Sequence, residues 1–83
     1  MEQPDFRQVI ARNVRVARAD RGISQEALAD EAGVDRSYMS RIERGVTWVG
    51  VEILVKLAAV LEVEPHELLM PPPGRKRPAQ GGS

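Results

Sequence analysis

Arginine is the residue type with the clearest capacity for binding chemistry in this sequence. Ten of the twelve basic residues in the 83-residue chain are arginines. A guanidinium carries five N–H donors in a planar fork, which matches a phosphate group or the edge of a guanine base. A high-GC genome would produce the same preference for arginine over lysine. The composition by itself therefore leaves both explanations open.

The charged residues are unevenly distributed, although the formal net charge is zero. Residues 6–21 hold five arginines against one aspartate, a local charge of +4, and residues 36–44 hold three arginines against one glutamate, a local charge of +2. Residues 52–67 hold four glutamates against one lysine, a local charge of −3. A partner senses the charge of the face it meets rather than the total. A nucleic-acid partner is therefore compatible with the zero net charge.

Several chemistries lack the residues that they need. The chain has no cysteine and one histidine, His66, so disulfides, thiolate metal sites, cysteine nucleophiles and multi-histidine metal cages are excluded. No nucleophile–base pair or phosphate-binding glycine loop is visible, so we expect neither an enzyme nor a cofactor. No apolar run approaches the ~20 residues that a membrane span requires, and no signal peptide opens the chain. We expect a cytoplasmic, nucleoid-associated protein that makes no membrane contact.

The elements that must position the arginines are predicted to be helices. Three aromatic residues among many aliphatic ones favour an all-α core. N-cap residues and terminal glycines divide the chain into segments with helical spacing of apolar residues. The predicted helices cover about 6–21, 25–32, 36–44, 51–61 and 65–70. A flexible start at 1–5 precedes one domain at 6–70, and a Pro/Gly/basic tail at 71–83 is predicted to be disordered.

The segment Gln25–Arg44 has the pattern of two short helices that cross closely. Ala29 lies where a bulky side chain would separate the helices, and Gly33 lies in a turn where positive φ is expected. Apolar residues that face a common core are Leu28, Ala32, Val34, Met39 and Ile42. Together these positions indicate a helix-turn-helix.

The strings Ile23–Ala29, Ala32–Val34 and Met39–Gly45, followed by a Leu-rich helix and Leu61–Pro65, carry a family resemblance. The chain resembles the phage-repressor/Cro/Xre family of helix-turn-helix DNA-binding proteins. It is most similar to small stand-alone regulators such as restriction–modification controller proteins. The resemblance implies a five-helix, lambda-repressor-like domain. The loop after Gly45 departs from the pattern, because it holds Trp48 and Val49 where such loops are short and polar.

The resemblance assigns roles to individual residues, with the helix at about 36–44 in the major groove. By resemblance, Arg36, Ser37 and Arg41 match base-contacting positions, and Ser40 is a further solvent-facing candidate on the same helix. By resemblance, Gln25 and Arg44 match phosphate-contacting positions, and the residues themselves add Tyr38, Arg12 and Arg15. Each of these could instead be an ordinary solvated residue, and the Tyr38 ring could be half-buried packing. Arg18 and Glu43 correspond to an internal ion pair between the first and third helices.

The C-terminal end carries more apolar residues than a monomer of this size needs to bury. The surplus residues are Val49, Val51, Val55, Leu69 and Met70. We expect them to form a homodimer interface that sets half-sites about 10–10.5 bp apart. Trp48 is expected to pack over the edge of the core, or alternatively to line a subunit contact. The run Arg75–Arg77 either touches phosphates or has no function.

The sequence therefore predicts a sequence-specific regulator of transcription that binds double-stranded DNA as a homodimer on a palindromic operator. RNA polymerase or a toxin is a candidate protein partner. The alternative is a protein-interaction module, such as an antitoxin or anti-regulator, built on the same fold. Its surplus of apolar surface would then bind another protein rather than a second copy.

Overall fold

A computed structural model describes residues 3–72. Its helices are α1 (Phe6–Arg21), α2 (Gln25–Ala32), α3 (Arg36–Arg44) and α4 (Val51–Leu61), followed by the 3₁₀ helix Pro65–Leu69. No strand occurs among these residues. The all-α class and the bounds of the first four helices are confirmed. The predicted tail beyond residue 72, including Arg75–Arg77, lies outside the described residues.

Side-chain caps start the first three helices. The carboxylate of Asp5 accepts a hydrogen bond from the Arg7 backbone N–H, and Asp35 accepts one from the Tyr38 backbone N–H. The Ser24 hydroxyl accepts one from the Ala27 backbone N–H at 3.0 Å. These bonds satisfy donors that the first turn of a helix leaves unpaired. The helix starts are thus encoded locally, which is why they could be read from the sequence.

The helices pack around one aliphatic core. α1 packs against α3 and the 3₁₀ helix, while α2 packs against α3 and α4. The five residues predicted to face this core are all buried. The buried cluster consists of Ile10, Val14, Leu28, Ala29, Ala32, Val34, Met39, Ile42, Leu54, Leu57, Ala58, Leu61 and Leu68. Ala29 is completely buried, as expected for the point where α2 and α3 cross.

The last helical segment differs from the prediction. An α-helix was expected at about 65–70, but the structure has a 3₁₀ helix at Pro65–Leu69. The prolines that follow Met70 prevent extension, so the segment is short, and short helical segments commonly adopt the tighter 3₁₀ turn. The Asn13 amide donates to the carbonyls of Leu68 at 2.9 Å and Met70 at 2.8 Å, which ties this end to α1.

Within residues 3–72, none of the helices combines the length and the apolar character that a membrane crossing requires.

Candidate nucleic-acid interface

α3 has one face in the core and one in solvent. Met39 and Ile42 are buried, whereas three of the four predicted base-contacting residues, Arg36, Ser37 and Arg41, are exposed. Ser40, the fourth, is half-buried. These three exposed residues of the nine-residue helix present two guanidinium groups and a hydroxyl.

A buried carboxylate fixes the position of α3. Glu43 is 4% exposed, and Arg18 on α1 grips it with two hydrogen bonds, Nε to Oε2 at 2.7 Å and Nη2 to Oε1 at 3.0 Å. The hydrogen bonds to Glu43 raise the pKa of Arg18 above its usual value, against the opposing effect of burial. The remaining Nη1 of Arg18 donates to the Ile23 carbonyl at 3.0 Å. One ion pair thus joins α1, the α1–α2 loop and α3.

Gln25, predicted to contact phosphate, is part of the same network. Its Nε2 donates to Glu43 Oε1 at 3.1 Å, and the residue is half-buried. The side chain therefore braces α2 against α3. The Ala27 N–H is bonded to Ser24, so the backbone N–H groups of Gln25 and Glu26 are the first-turn donors that an anion would meet there.

Three further predicted phosphate residues, Arg12, Arg15 and Arg44, lie on α1 and α3. Arg15 Nη1 donates to the Glu43 backbone carbonyl and so supports the end of α3. Arg12 donates to its neighbour Asn13 at 3.3 Å. Arg44 is exposed at the end of α3 and makes no ion pair with any residue from 3 to 72. Of the three, Arg44 has the least occupied guanidinium.

Arg36 is held by an acidic residue that sequence reasoning missed. Its Nε donates to Asp30 Oδ1 at 3.2 Å and its Nη2 to Asp30 Oδ2 at 2.8 Å. The hydrogen bonds from Arg36 hold the pKa of the Asp30 carboxyl below its usual value, so the pair stays ionised at neutral pH. Opposite charges six residues apart across the helix-turn-helix turn were the only signal in the sequence.

Arg41 is ordered by its neighbours on α3. Its guanidinium carbon lies 5.6 Å from the centroid of the Tyr38 ring, and its Nη1 donates to the Ser37 hydroxyl at 3.0 Å. The Tyr38 ring is half-buried against the core, and its hydroxyl donates to the Trp48 carbonyl at 3.0 Å. Tyr38 thus has the packing role that was one of its two alternatives, with its hydroxyl already bonded.

The expectation that Trp48 packs over the core edge is wrong. Trp48 is 61% exposed, and the guanidinium carbon of Arg7 lies 5.6 Å from the centroid of its ring. The adjacent Val49 packs against the core instead. The loop after Gly45 thus turns Val49, rather than Trp48, toward the core.

The predicted dimer residues also divide into exposed residues and one that packs against the core. Val51, Val55, Leu69 and Met70 are exposed, whereas Val49 is half-buried within its own domain. The four exposed residues come from α4 and from the end of the 3₁₀ helix, which pack against each other. We call these four exposed residues the C-terminal cluster, after their place in the sequence.

These features define a helix-turn-helix domain. α2 and α3 are short, are joined through Gly33 at φ +70° and pack against each other, and Ala29 of α2 is completely buried. Residues 14–68 match the HTH_3 helix-turn-helix family. The chain belongs to this family.

Relatives with similar sequences are named as regulators. A hypothetical transcription factor of Neisseria meningitidis serogroup B is 40% identical over 74 residues, which cover 89% of this chain and 70% of that protein. The transcriptional regulator SinR of Bacillus subtilis is 40% identical over 62 residues, covering 74% of this chain. The chain spans 56% of the length of SinR.

Solved structures agree with this assignment. The Neisseria factor superimposes with a TM-score of 0.79 at 41% identity, over 87% of this chain and 86% of that one. The restriction–modification controller protein C.AhdI of Aeromonas hydrophila gives 0.72 at 40% identity, over 75% and 94%. A crystal structure of SinR in complex with DNA gives 0.71 at 40% identity, over 74% and 98%. The predicted likeness to controller proteins is confirmed.

Proposed function

We propose that this chain is a sequence-specific transcriptional regulator that binds double-stranded DNA as a homodimer on a palindromic operator. The observation that carries the proposal is the difference between the two faces of α3. Its inner face is held by hydrogen bonds to Glu43, and its solvent face carries arginines. Arg18 and Gln25 fix Glu43 from behind, while Arg36 and Arg41 project into solvent. A rigid helix with exposed guanidinium groups suits insertion into the major groove. The relatives named as transcriptional regulators support the same conclusion.

The exposed residues of α3 are assigned to base edges. Arg36 and Arg41 can each bond guanine N7 and O6 together, which discriminates by roughly 1–3 kcal/mol per pair. Ser37 and Ser40 can accept or donate at any base, and we assign them weaker preferences. The half-burial of Ser40 makes it the least accessible of the four.

The phosphate contacts are assigned to both sides of α3. Arg44, Arg12 and Arg15 provide the charge, and the first turn of α2 at Gln25 provides backbone donors. Tyr38 is kept in this set because its hydroxyl could exchange the Trp48 carbonyl for a phosphate oxygen. Such contacts fix the register of the protein on DNA but read no sequence.

The C-terminal cluster is proposed to form the subunit contact. Its apolar side chains would be removed from water by an isologous interface. Trp48, exposed near α3, is proposed to line the same contact, which is the alternative its exposure favours. Two recognition helices related by a two-fold axis would then meet successive major grooves, about 10–10.5 bp apart. We place this activity in the cytoplasm, at the nucleoid, as a binding protein rather than an enzyme.

The proposal is tested by selection from random duplex DNA at near-physiological salt, followed by sequencing. We expect enrichment of a palindrome with half-sites one helical turn apart. A single short half-site would retain the DNA function and contradict the dimer. Binding that is salt-sensitive and shows no enriched sequence would contradict sequence-specific recognition.

A second candidate is a module that binds another protein. The exposed C-terminal cluster favours it, and SinR, which is similar to this chain, has also been solved in a complex with the SinI protein. Affinity capture with the wild-type chain and with a Val55→Lys variant separates the two functions. A stoichiometric partner lost only in the variant, together with no enriched DNA sequence, would favour the protein-binding function. RNA polymerase and a toxin are the partners to look for first.

A further inference from the structure

We propose that Asp30 is a positioning residue for base recognition, which holds one edge of the Arg36 guanidinium and thereby aims the other edge at the DNA. The proposal rests on the proposed function and deepens it. It concerns an acidic residue, which at a DNA surface would otherwise be expected only to repel phosphates.

The hydrogen bonds between Asp30 and Arg36 occupy a defined edge of the guanidinium. Asp30 accepts from Nε at 3.2 Å and from Nη2 at 2.8 Å, a bidentate arrangement. Two of the five N–H donors are used, and the three that remain belong to Nη1 and Nη2. Bidentate recognition of guanine N7 and O6 needs two donors, so the remaining edge is sufficient.

The edge that remains is accessible. The side chains of Arg36 and Asp30 are 63% and 58% exposed, so solvent reaches both partners of the pair. Arg36 is the first residue of α3, the end that the family geometry directs into the groove. The guanidinium is therefore both oriented and open to a ligand.

The pair has firm supports on both sides. Asp30 lies on α2 directly after Ala29, which is completely buried against the core. Arg36 follows Asp35, whose carboxylate caps α3. A flexible arginine loses many rotamers when it binds, and a partner that orders it beforehand reduces that loss. Hydrogen bonding to Arg36 lowers the pKa of the Asp30 carboxyl, which is the direction expected when the charged form is the one held in the pair.

This role has a signature that a general effect on folding lacks. Loss of Asp30 removes a negative charge near the phosphates, so the affinity for DNA of unrelated sequence should stay the same or rise. Loss of the restraint frees Arg36, so the preference for guanine at its base position should fall. A residue needed only for the stability of α2 would weaken binding to all DNA alike.

The test compares Asp30→Ala with Glu31→Ala. Glu31 is the next residue of α2, is also exposed and makes no ion pair with any residue from 3 to 72, so both variants make the same charge change. Fluorescence anisotropy measures the affinity of each variant for two DNA duplexes. The first is the selected palindrome, and the second is the same palindrome with the guanine that Arg36 reads replaced in both half-sites. That guanine is identified as the position where Arg36→Ala loses its preference. We expect Asp30→Ala to reduce the affinity ratio of the two sites about tenfold, within the range of one bidentate contact, while Glu31→Ala leaves it within about twofold.

A double variant makes the coupling explicit. In the Arg36→Ala background, Asp30→Ala should leave the ratio unchanged, because there is no guanidinium left to position. Asp30→Asn is measured beside Asp30→Ala. Because asparagine keeps one acceptor oxygen, its affinity ratio should fall between those of the wild-type chain and Asp30→Ala.

Two outcomes would overturn the role of Asp30. The first is a ratio for Asp30→Ala equal to that for Glu31→Ala. The second is tighter binding to both sites with the ratio preserved, which would make Asp30 only a repulsive charge. Absence of any sequence preference in the wild-type chain would instead refute the proposed function itself, and it is read from the wild type before any variant is made.

Discussion

At the scale of single residues, Glu43 decides where α3 lies. Its carboxylate is buried and accepts hydrogen bonds from Arg18 on α1 and from Gln25 on α2. A buried ion pair contributes little net stability compared with an apolar replacement, because desolvation offsets the attraction. Removal of one partner is costly, since it leaves the other charge buried and unpaired.

We therefore expect Arg18→Met to lower the free energy of unfolding by about 3 kcal/mol. The double variant Arg18→Met/Glu43→Met should lose less, because no carboxylate then remains unpaired. Arg21→Met is the control, since Arg21 lies on the same helix and pairs with the exposed Glu62. It should cost less than about 1 kcal/mol. Urea unfolding followed by circular dichroism measures all three, and equal losses for Arg18→Met and Arg21→Met would contradict this account.

At the scale of elements, the ends of α2 and α3 are set by glycines with different surroundings. Gly33 has φ +70° and Gly45 has φ +74°, values at which an L side chain is strained. A Cβ added at Gly33 would meet nothing within 4 Å, whereas one at Gly45 would collide with the side-chain amide of Gln8. That amide donates to the Gly45 carbonyl at 3.2 Å and links α1 to the end of α3.

Gly33→Ala should accordingly cost roughly 1 kcal/mol, from backbone conformation alone. Gly45→Ala should cost about 1 kcal/mol more, because Gln8 must move and its hydrogen bond is lost. The comparison is made by urea unfolding of the two variants beside Gln8→Ala, which removes the hydrogen bond without the backbone strain. If Gly45→Ala costs no more than Gly33→Ala, the contact with Gln8 is unimportant.

The difference between local and long-range contacts explains what the sequence could and could not predict. Helix bounds depend on neighbours a few residues away, such as Ser24 before α2 and Gly33 after it, so they were predicted correctly. The bond from Gln25 to Glu43 spans 18 residues, and the exposure of Trp48 depends on which of two adjacent side chains reaches the core. Such outcomes are decided by tertiary packing, which periodicity and capping do not encode.

At the scale of the whole molecule, the C-terminal cluster is the surface that we propose for assembly. Its residues are exposed in the single domain. If they form the subunit contact, a charge placed among them should separate the subunits without unfolding the domain, since no core contact is lost.

Val55→Lys is expected to convert a dimer into a monomer and to abolish the preference for paired half-sites. Val16→Lys is the matched control, because Val16 on α1 is 43% exposed against 46% for Val55 and lies beside Asp20 and Glu67, which accommodate a cation. Sedimentation velocity at micromolar concentration gives the assembly state, and circular dichroism checks the fold. Dissociation by both lysines, or by neither, would place the subunit contact elsewhere.

The hydrogen bonds from Arg18 and Gln25 to Glu43 also bear on how such regulators diverge after gene duplication. Because Arg18 and Gln25 hold α3 from its inner side, the outward residues 36, 37 and 41 are left with hydrogen bonds to exposed neighbours only. Substitutions at surface positions of this kind usually change stability by less than about 0.5 kcal/mol. Daughter copies can thus explore new operators, one outward residue at a time, while every intermediate stays folded.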